Sequence, residues 1–266
     1  MRARPRHRLF VDADIAPSLA VPLADGQAHY LANVLRMADG DEVCAFNGRD
    51  GEWRAGFARQ GKRGGALIPS ELLAPQPLEA ETILAFAPIR GAKVEFVAEK
   101  ATELGATRLI PTLTRRTVID KANPARMRAN AIEAAEQCGR SSIPAIEEIR
   151  KLDRVLGGWD PAVPLFFCDE AGDAPPLHAA ALGLGEGPAG VLIGPEGGFD
   201  DHERALLRRL SFVRPVGLGR RILRAETAAI AALALIEAAR VEATRAEDTR
   251  VEGKPALRPD GGPGPA

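Results

Sequence analysis

The apolar positions of the chain change period once. Between Arg8 and Ser70 they recur in short runs, Arg8 to Val11, Glu42 to Asn47, Glu52 to Gln60 and Ala66 to Ser70, separated by Asp39-Gly40, Asp50-Gly51 and Gly64-Gly65. Short runs punctuated by turn pairs predict strands. One helix, about Gln27 to Met37, interrupts them, and the whole reads as a small β-barrel. Beyond Pro75-Gln76-Pro77 strands alternate with helices. The strands lie near Thr82 to Ala87, Arg108 to Leu113, Leu165 to Asp169, Gly190 to Ile193 and Phe212 to Val216. The helices lie near Lys93 to Leu104, Arg126 to Cys138, Asp201 to Leu210 and Ala225 to Arg240. This alternation predicts an α/β domain with a mostly parallel sheet covered by helices.

The helix from Lys93 shows the logic. Val94, Val97, Ala98, Ala101 and Leu104 recur at steps of three and four, which defines a core face, and Gly105 supplies the stop. Lys93, Lys100 and Glu103 fall off that face. Past Thr244, Gly253, Pro255, Pro259 and the Gly-Pro run that follows leave too little apolar surface to order the chain, so residues 245–266 read as a disordered tail. The expected division is 1–74 for the barrel and 75–244 for the α/β domain.

At 45% hydrophobic and 27% charged, the 266 residues suit a soluble chain with a substantial core. A net charge of -1 argues against coating nucleic acid by bulk charge, but the charge is uneven. Arg108, Arg115, Arg116, Lys121, Arg126 and Arg128 face one acid, Asp120, and Arg2, Arg4, Arg6 and Arg8 make the N-terminus basic. Solvated surface explains either cluster equally well. Cys44, Cys138 and Cys168 are widely spaced and odd in number, which suggests neither disulfides nor a zinc site and points to a reducing cytoplasm. The four histidines share no metal-ligand spacing, so no metal is expected. The longest apolar run, Ala228 to Ile236, is far too short to span a membrane.

Two glycine loops carry the candidate chemistry. Ile193-Gly194-Pro195-Glu196-Gly197-Gly198-Phe199 and Val216-Gly217-Leu218-Gly219-Arg220-Arg221-Ile222-Leu223-Arg224 each leave a predicted strand and enter a predicted helix. Both should therefore emerge at the carboxyl edge of the sheet, where open α/β sheets bind ligands. The first lacks the Lys-Ser/Thr ending of a P-loop, and the second has Ile222 where a dinucleotide fingerprint needs glycine. Arg220, Arg221 and Arg224 place three cations there before the first acid, Glu226, which suits a small cofactor beside a polyanion.

Gly194-Pro195-Glu196-Gly197-Gly198, Leu218-Gly219 and Arg221-Ile222-Leu223-Arg224-Ala225-Glu226-Thr227-Ala228 resemble the bacterial 16S ribosomal RNA uracil-N3 methyltransferases of the SPOUT superfamily. The likeness extends to His29-Tyr30-Leu31 with Val34-Leu35-Arg36, to Lys93 and Lys100 to Gly105, to Arg115-Arg116, and to Glu133 through Arg140. It implies a PUA-like RNA-binding barrel, a trefoil-knotted methyltransferase domain, a homodimer, S-adenosylmethionine as cofactor and 16S rRNA or the small ribosomal subunit as partner. The implied cofactor residues are Ile193, Gly194, Glu196, Gly197, Gly198, Leu218, Gly219, Ile222, Leu223, Arg224 and Thr227. The implied RNA-binding residues are Arg8, His29, Arg36, Arg115, Arg116 and Arg140. His29 and Arg36 are expected on one helix face, as are Glu133, Gln137 and Arg140; Cys138 is expected to pack rather than react.

Methylating uracil N3 requires loss of its proton. Arg220 or Arg224 beside the ring oxygens would stabilise the developing imidate, and Glu226 could accept the proton. Ribose 2′-O methylation of rRNA or tRNA, a non-catalytic role in RNA binding or ribosome assembly, and a nucleotide-binding enzyme unrelated to RNA are the competing readings.

Overall fold

A computed structural model describes residues 3–61, 64–91, 93–169 and 174–252, the side chains of 246–252 excepted. The N-terminal sheet contains β1 (Arg8–Phe10), β2 (Val21–Pro22), β3 (Glu42–Phe46), β4 (Glu52–Gln60) and β5 (Gly64–Ala74) in the order β1-β3-β4-β5-β2. β1 runs parallel to β3 and the other pairs are antiparallel. Register shifts between β4 and β5, at Glu52/Trp53 and Arg54/Ala55, bend the sheet into a half-barrel. Leu9, Val11, Val43, Ala45, Phe57 and Leu67 fill its inside. Gly51 makes the β3–β4 turn at φ +81°, where a Cβ would lie 2.4 Å from the Ala74 carbonyl.

The helix expected over Gln27 to Met37 is shorter and of two kinds. α1 (Asp25–His29) passes directly into a π turn, Tyr30–Val34, and Arg36 beyond it has φ +56°. The wider turn and the left-handed residue remove the helical spacing that was to put His29 and Arg36 on one face. The gain is burial: Leu31 and Met37 both reach the barrel core.

The second sheet is wholly parallel. β6 (Thr82–Phe86), β7 (Arg108–Leu113), β8 (Ala145–Ile146), β10 (Leu165–Cys168), β11 (Ala189–Ile193) and β12 (Val213–Val216) lie in the order β12-β10-β11-β6-β7-β8. β9 (Arg150–Lys151) also pairs with β7. Because strand side chains alternate, Leu84 and Phe86 face one helix layer while Ile83 and Ala85 face the other. The first layer comprises α2 (Lys93–Glu103), α3 (Pro124–Cys138), α5 (Leu177–Ala181) and α7 (Ala225–Glu252); α4 (Leu152–Gly157) and α6 (Asp201–Leu207) form the second.

Asn123 caps α3 by accepting from the Arg126 amide at 3.1 Å, and Gly139 ends it at φ +86°. Arg140 therefore lies beyond the helix and does not share a face with Glu133 and Gln137. At the other end of the chain, α7 continues to Glu252, so residues 245–252 are helical where a tail was expected. Ala246, Glu247, Arg250 and Glu252 favour helix, and the first breaker is Gly253. The rest of the expected tail, 253–266, falls outside the described residues.

Candidate active site

All strands of the second sheet point the same way, so their following loops gather at one edge. β10 separates β11 from β12, which brings the two glycine loops to the ends of next-but-one neighbours. The first loop leaves β11 at Ile193, itself buried. A Cβ on Gly194 would lie 2.6 Å from the Phe199 ring. Phe199 in turn packs edge-on against Phe167 at 4.9 Å, so the loop is seated on the core. Gly198 closes a tight turn at φ +66°, its amide donating to the Pro195 carbonyl at 2.9 Å. Glu196 and Gly197 are exposed at the tip.

Asp200 then opens α6 with a reciprocal cap: its Oδ1 accepts from the Glu203 amide at 2.7 Å, and the Glu203 Oε2 accepts from the Asp200 amide at 3.1 Å. The hydrogen bond from the Glu203 amide, with Arg115 nearby, holds the Asp200 carboxyl below its usual range. Glu203 also accepts the Arg115 amide at 2.8 Å, and Arg116 donates to the Gly197 carbonyl at 3.0 Å. Arg115 and Arg116 thus reach across the end of β6 and clasp the first glycine loop.

The second loop is zipped to the segment after β10. Gly217 donates to the Pro175 carbonyl at 2.9 Å and accepts from the Leu177 amide at 3.0 Å. Gly219 turns at φ +117° into open space. Arg220, Arg221, Arg224 and Thr227 are exposed, Leu218 and Leu223 half-buried, and Ile222 stands 87% in solvent.

Glu226 is tied elsewhere. Lys93 Nζ, at the start of α2, lies 2.7 Å from its Oε1 and holds the carboxyl below the ordinary range, chiefly through that hydrogen bond. A carboxylate stabilised by an ammonium is a weak proton acceptor, which counts against the base role expected of Glu226 and favours anchoring of α7 to α2. Neither Lys93 nor Asp169 was assigned a role from sequence. The Asp169 carboxylate is fully buried after β10 and pairs with Arg204 of α6 and, at 2.7 Å, with Arg208 at its C-cap. An acid ending an apolar strand was the available signal.

The expected RNA-binding residues separate into two sets. His29 and Arg36 are exposed on the barrel, and Arg115 and Arg116 at the sheet edge. Arg8 and Arg140 face inward. Arg8 pairs with Glu52, covers the Phe46 ring at 4.6 Å and donates to the Arg140 carbonyl at 2.8 Å. Arg140 pairs with Glu79 and donates to the carbonyls of Ala106 and Thr102 at 2.7 and 3.0 Å. Burial next to acids and carbonyls spends both guanidiniums internally: Arg8 ties the barrel to the segment after α3, and Arg140 ties that segment to α2 and to Glu79 before β6. Much of the basic stretch is engaged similarly: Arg108 with Glu81 and Glu147, Arg126 with Glu95, Arg128 with Asp12. Cys138, expected to pack, is exposed.

Among the described residues no three or more His, Cys, Asp or Glu side chains are grouped to hold a metal, and no helix is long and apolar enough to cross a membrane.

Comparison with known proteins finds two family matches along the chain. Residues 76–237 match the family described as RNA methyltransferase domain, and residues 23–62 match the RNA methyltransferase PUA domain. The chain is 31% identical over 231 residues to the ribosomal RNA small subunit methyltransferase E of Rickettsia conorii, covering 86% of this chain and 94% of that protein. It is 34% identical to the protein of the same name from Synechocystis, over 87% of this chain and 77% of that one. Among solved structures, a methyltransferase of Legionella pneumophila in complex with SAM aligns with a TM-score of 0.79 at 28% identity, covering 89% of this chain and 98% of that one.

Proposed function

The chain belongs to the RNA methyltransferase family, whose domain spans residues 76–237, and on that premise we propose that it transfers the methyl group of S-adenosylmethionine to N3 of a uridine in 16S ribosomal RNA. The observation that carries this reading is the convergence of two glycine loops on one sheet edge, with unburied Arg220 and Arg224 beside them. The small-subunit substrate follows the names of the relatives. The choice of uracil N3 rests on the resemblance of the loop motifs.

The loops fit such a cofactor. Ile222, almost wholly in water, with half-buried Leu218 and Leu223, offers the apolar surface that an adenine covers. Ile193, Gly194, Glu196, Gly197, Gly198, Gly219 and Thr227, with the backbone of Arg224, complete the cradle, in which the glycines leave backbone groups open to a ligand. When bound, S-adenosylmethionine supplies an electrophilic methyl on a sulfonium. The chain's part is alignment and charge: Arg224 and Arg220 stabilise the uracil imidate, while the Lys93–Glu226 pair keeps the start of α7 in place. His29, Arg36, Arg115 and Arg116 serve the RNA, and salt weakens that binding. A homodimer belongs to the same reading, supported by the exposed apolar Leu182, at the C-cap of α5, and Val241 of α7, two helices that pack together.

The test is incubation of the protein with labelled S-adenosylmethionine and small ribosomal subunits from a strain lacking it, followed by mapping of the label. Label on a uracil N3 supports the reading. Label on a ribose oxygen replaces it with 2′-O methylation, and cofactor binding absent in every RNA context replaces it with an assembly role.

A further inference from the structure

The turn that closes the barrel exposes more unsatisfied chemistry than packing requires. Tyr30, the only tyrosine of the chain, is 39% exposed, and Val34 is 60% exposed four residues on. Both belong to the π turn, a widened geometry frequent at functional places in helices. Arg36 follows it in the left-handed region, one of two non-glycine residues to do so among the described residues. Its side chain is exposed, with no hydrogen bond or ion pair to a described residue.

This segment is held rigidly. Arg59 of β4 donates to the carbonyls of Ala32 at 3.2 Å and Met37 at 3.0 Å, and Leu31 and Met37 are anchored in the core on either side. Asn33 Nδ2 lies 2.9 Å from His29 Nδ1 and ties the turn to α1. A strained arginine backbone kept in place by such bracing is strain retained at a site of use.

We infer that Tyr30 and Arg36 form a stacking platform for one unpaired nucleobase of the RNA, an inference that rests on the RNA substrate proposed above. Tyr30 opens the π turn and Arg36 follows its end, both exposed; a phenol ring and a planar guanidinium are groups on which unstacked bases settle, and such stacking tolerates any base. Asp39 and Asp41 accept the Arg59 and Ala38 amides, both at 2.7 Å, and neither forms an ion pair with Arg36. The exposed Arg36, without an ion pair to a described residue, favours a polyanion over an apolar protein surface. The platform makes the barrel a reader of single-stranded RNA in addition to a contact for its phosphates.

The test uses the full chain and an unstructured oligoribonucleotide carrying one 2-aminopurine, whose fluorescence is quenched by stacking. The wild-type protein should quench it on binding, and Tyr30→Phe should retain both quenching and affinity. Tyr30→Ala should lose the quenching and roughly ten-fold or more in affinity, the usual effect of removing a stacking ring. Titration with S-adenosylhomocysteine reports whether the variant is folded. Unaltered quenching and affinity in a folded Tyr30→Ala protein overturns the platform. Because the readout needs no methyl transfer, the platform can stand or fall independently of the proposed reaction.

Discussion

Glu136 of α3 accepts the backbone amide of Phe10 at 2.9 Å across 126 residues, joining the barrel to the parallel sheet. Phe10 also stacks edge-on with Phe46 at 5.7 Å, and Ala135, Ile132 and Ile143 complete the apolar seam. Burial raises the Glu136 carboxyl above its usual range; the Phe10 amide works against this and Glu133 adds to it.

The pH dependence of Glu136 follows in sign. Its folded-state pKa lies above its unfolded value, so the folded protein binds more protons between the two. This contribution to stability is therefore present below the ordinary carboxylate range and lost as pH rises through the raised value. Glu136→Gln keeps an acceptor oxygen and carries no charge. It should melt at a higher temperature than wild type at pH 7, by about 1 kcal/mol in stability, and at the same temperature near pH 3. Thermal melts at the two pH values check this.

Arg140→Ala should act on stability first. It leaves the Glu79 carboxylate with the Ser142 hydroxyl but no cation and removes a donor from two carbonyls, at a cost of about 2–4 kcal/mol in denaturant unfolding. An Arg140→Ala protein of wild-type stability with weakened RNA binding would return this side chain to the RNA surface.

Arg224→Ala should separate chemistry from cofactor binding. The side chain is exposed and its backbone carbonyl opens α7 by accepting the Ala228 amide at 2.8 Å, which alanine preserves. Turnover should fall about 10²-fold or more, while calorimetric affinity for S-adenosylhomocysteine stays close to wild type. Unchanged turnover would remove Arg224 from the mechanism.

Lys93→Met should expose the anchoring role of its pair with Glu226. The folded-state pKa of Glu226 is depressed, so the pair's contribution is present above the ordinary carboxylate range and lost as pH falls through the depressed value. With Lys93 39% exposed, the loss at pH 7 should be modest, about 0.5–1 kcal/mol. The difference between wild type and variant should shrink in acid, as unfolding curves at pH 7 and pH 3 would show.

Gly194→Ala should disrupt the first loop sterically. Its Cβ would meet the Phe199 ring, which is 1% exposed and braced by Phe167. Overpacking of this kind costs about 1–3 kcal/mol, and displacement of the loop should weaken S-adenosylhomocysteine binding, measured by calorimetry.

The strand and helix periods were legible wherever an element was long enough to display one. β4 and β7 match the expected bounds residue for residue, and α2 falls within one residue. α4 and α5, of six and five residues, are too short to show a period, and the two-residue strands β8 and β9 are made by pairing with β7 alone. A π turn has no periodic signature, which is why one regular helix was read where α1 gives way at Tyr30. The glycine loops stood out because apolar strands precede them. The inward destinations of Arg8 and Arg140 did not, because an arginine bound for a carbonyl 132 residues away looks in sequence like any surface cation. Lys93 and Glu226, 133 residues apart, were hidden for the same reason.

The seam around Phe10 and Glu136 gives the molecule the character of a caliper. One jaw, the Tyr30 turn, belongs to the barrel and the other, the glycine-loop edge, to the parallel sheet, and the buried aromatic seam joins barrel to sheet. On the proposed function, such a tool selects by span: a uridine is modified when the RNA's own architecture presents it at the fixed distance from an unpaired base. The choice among chemically identical uridines then resides in the shape of the RNA.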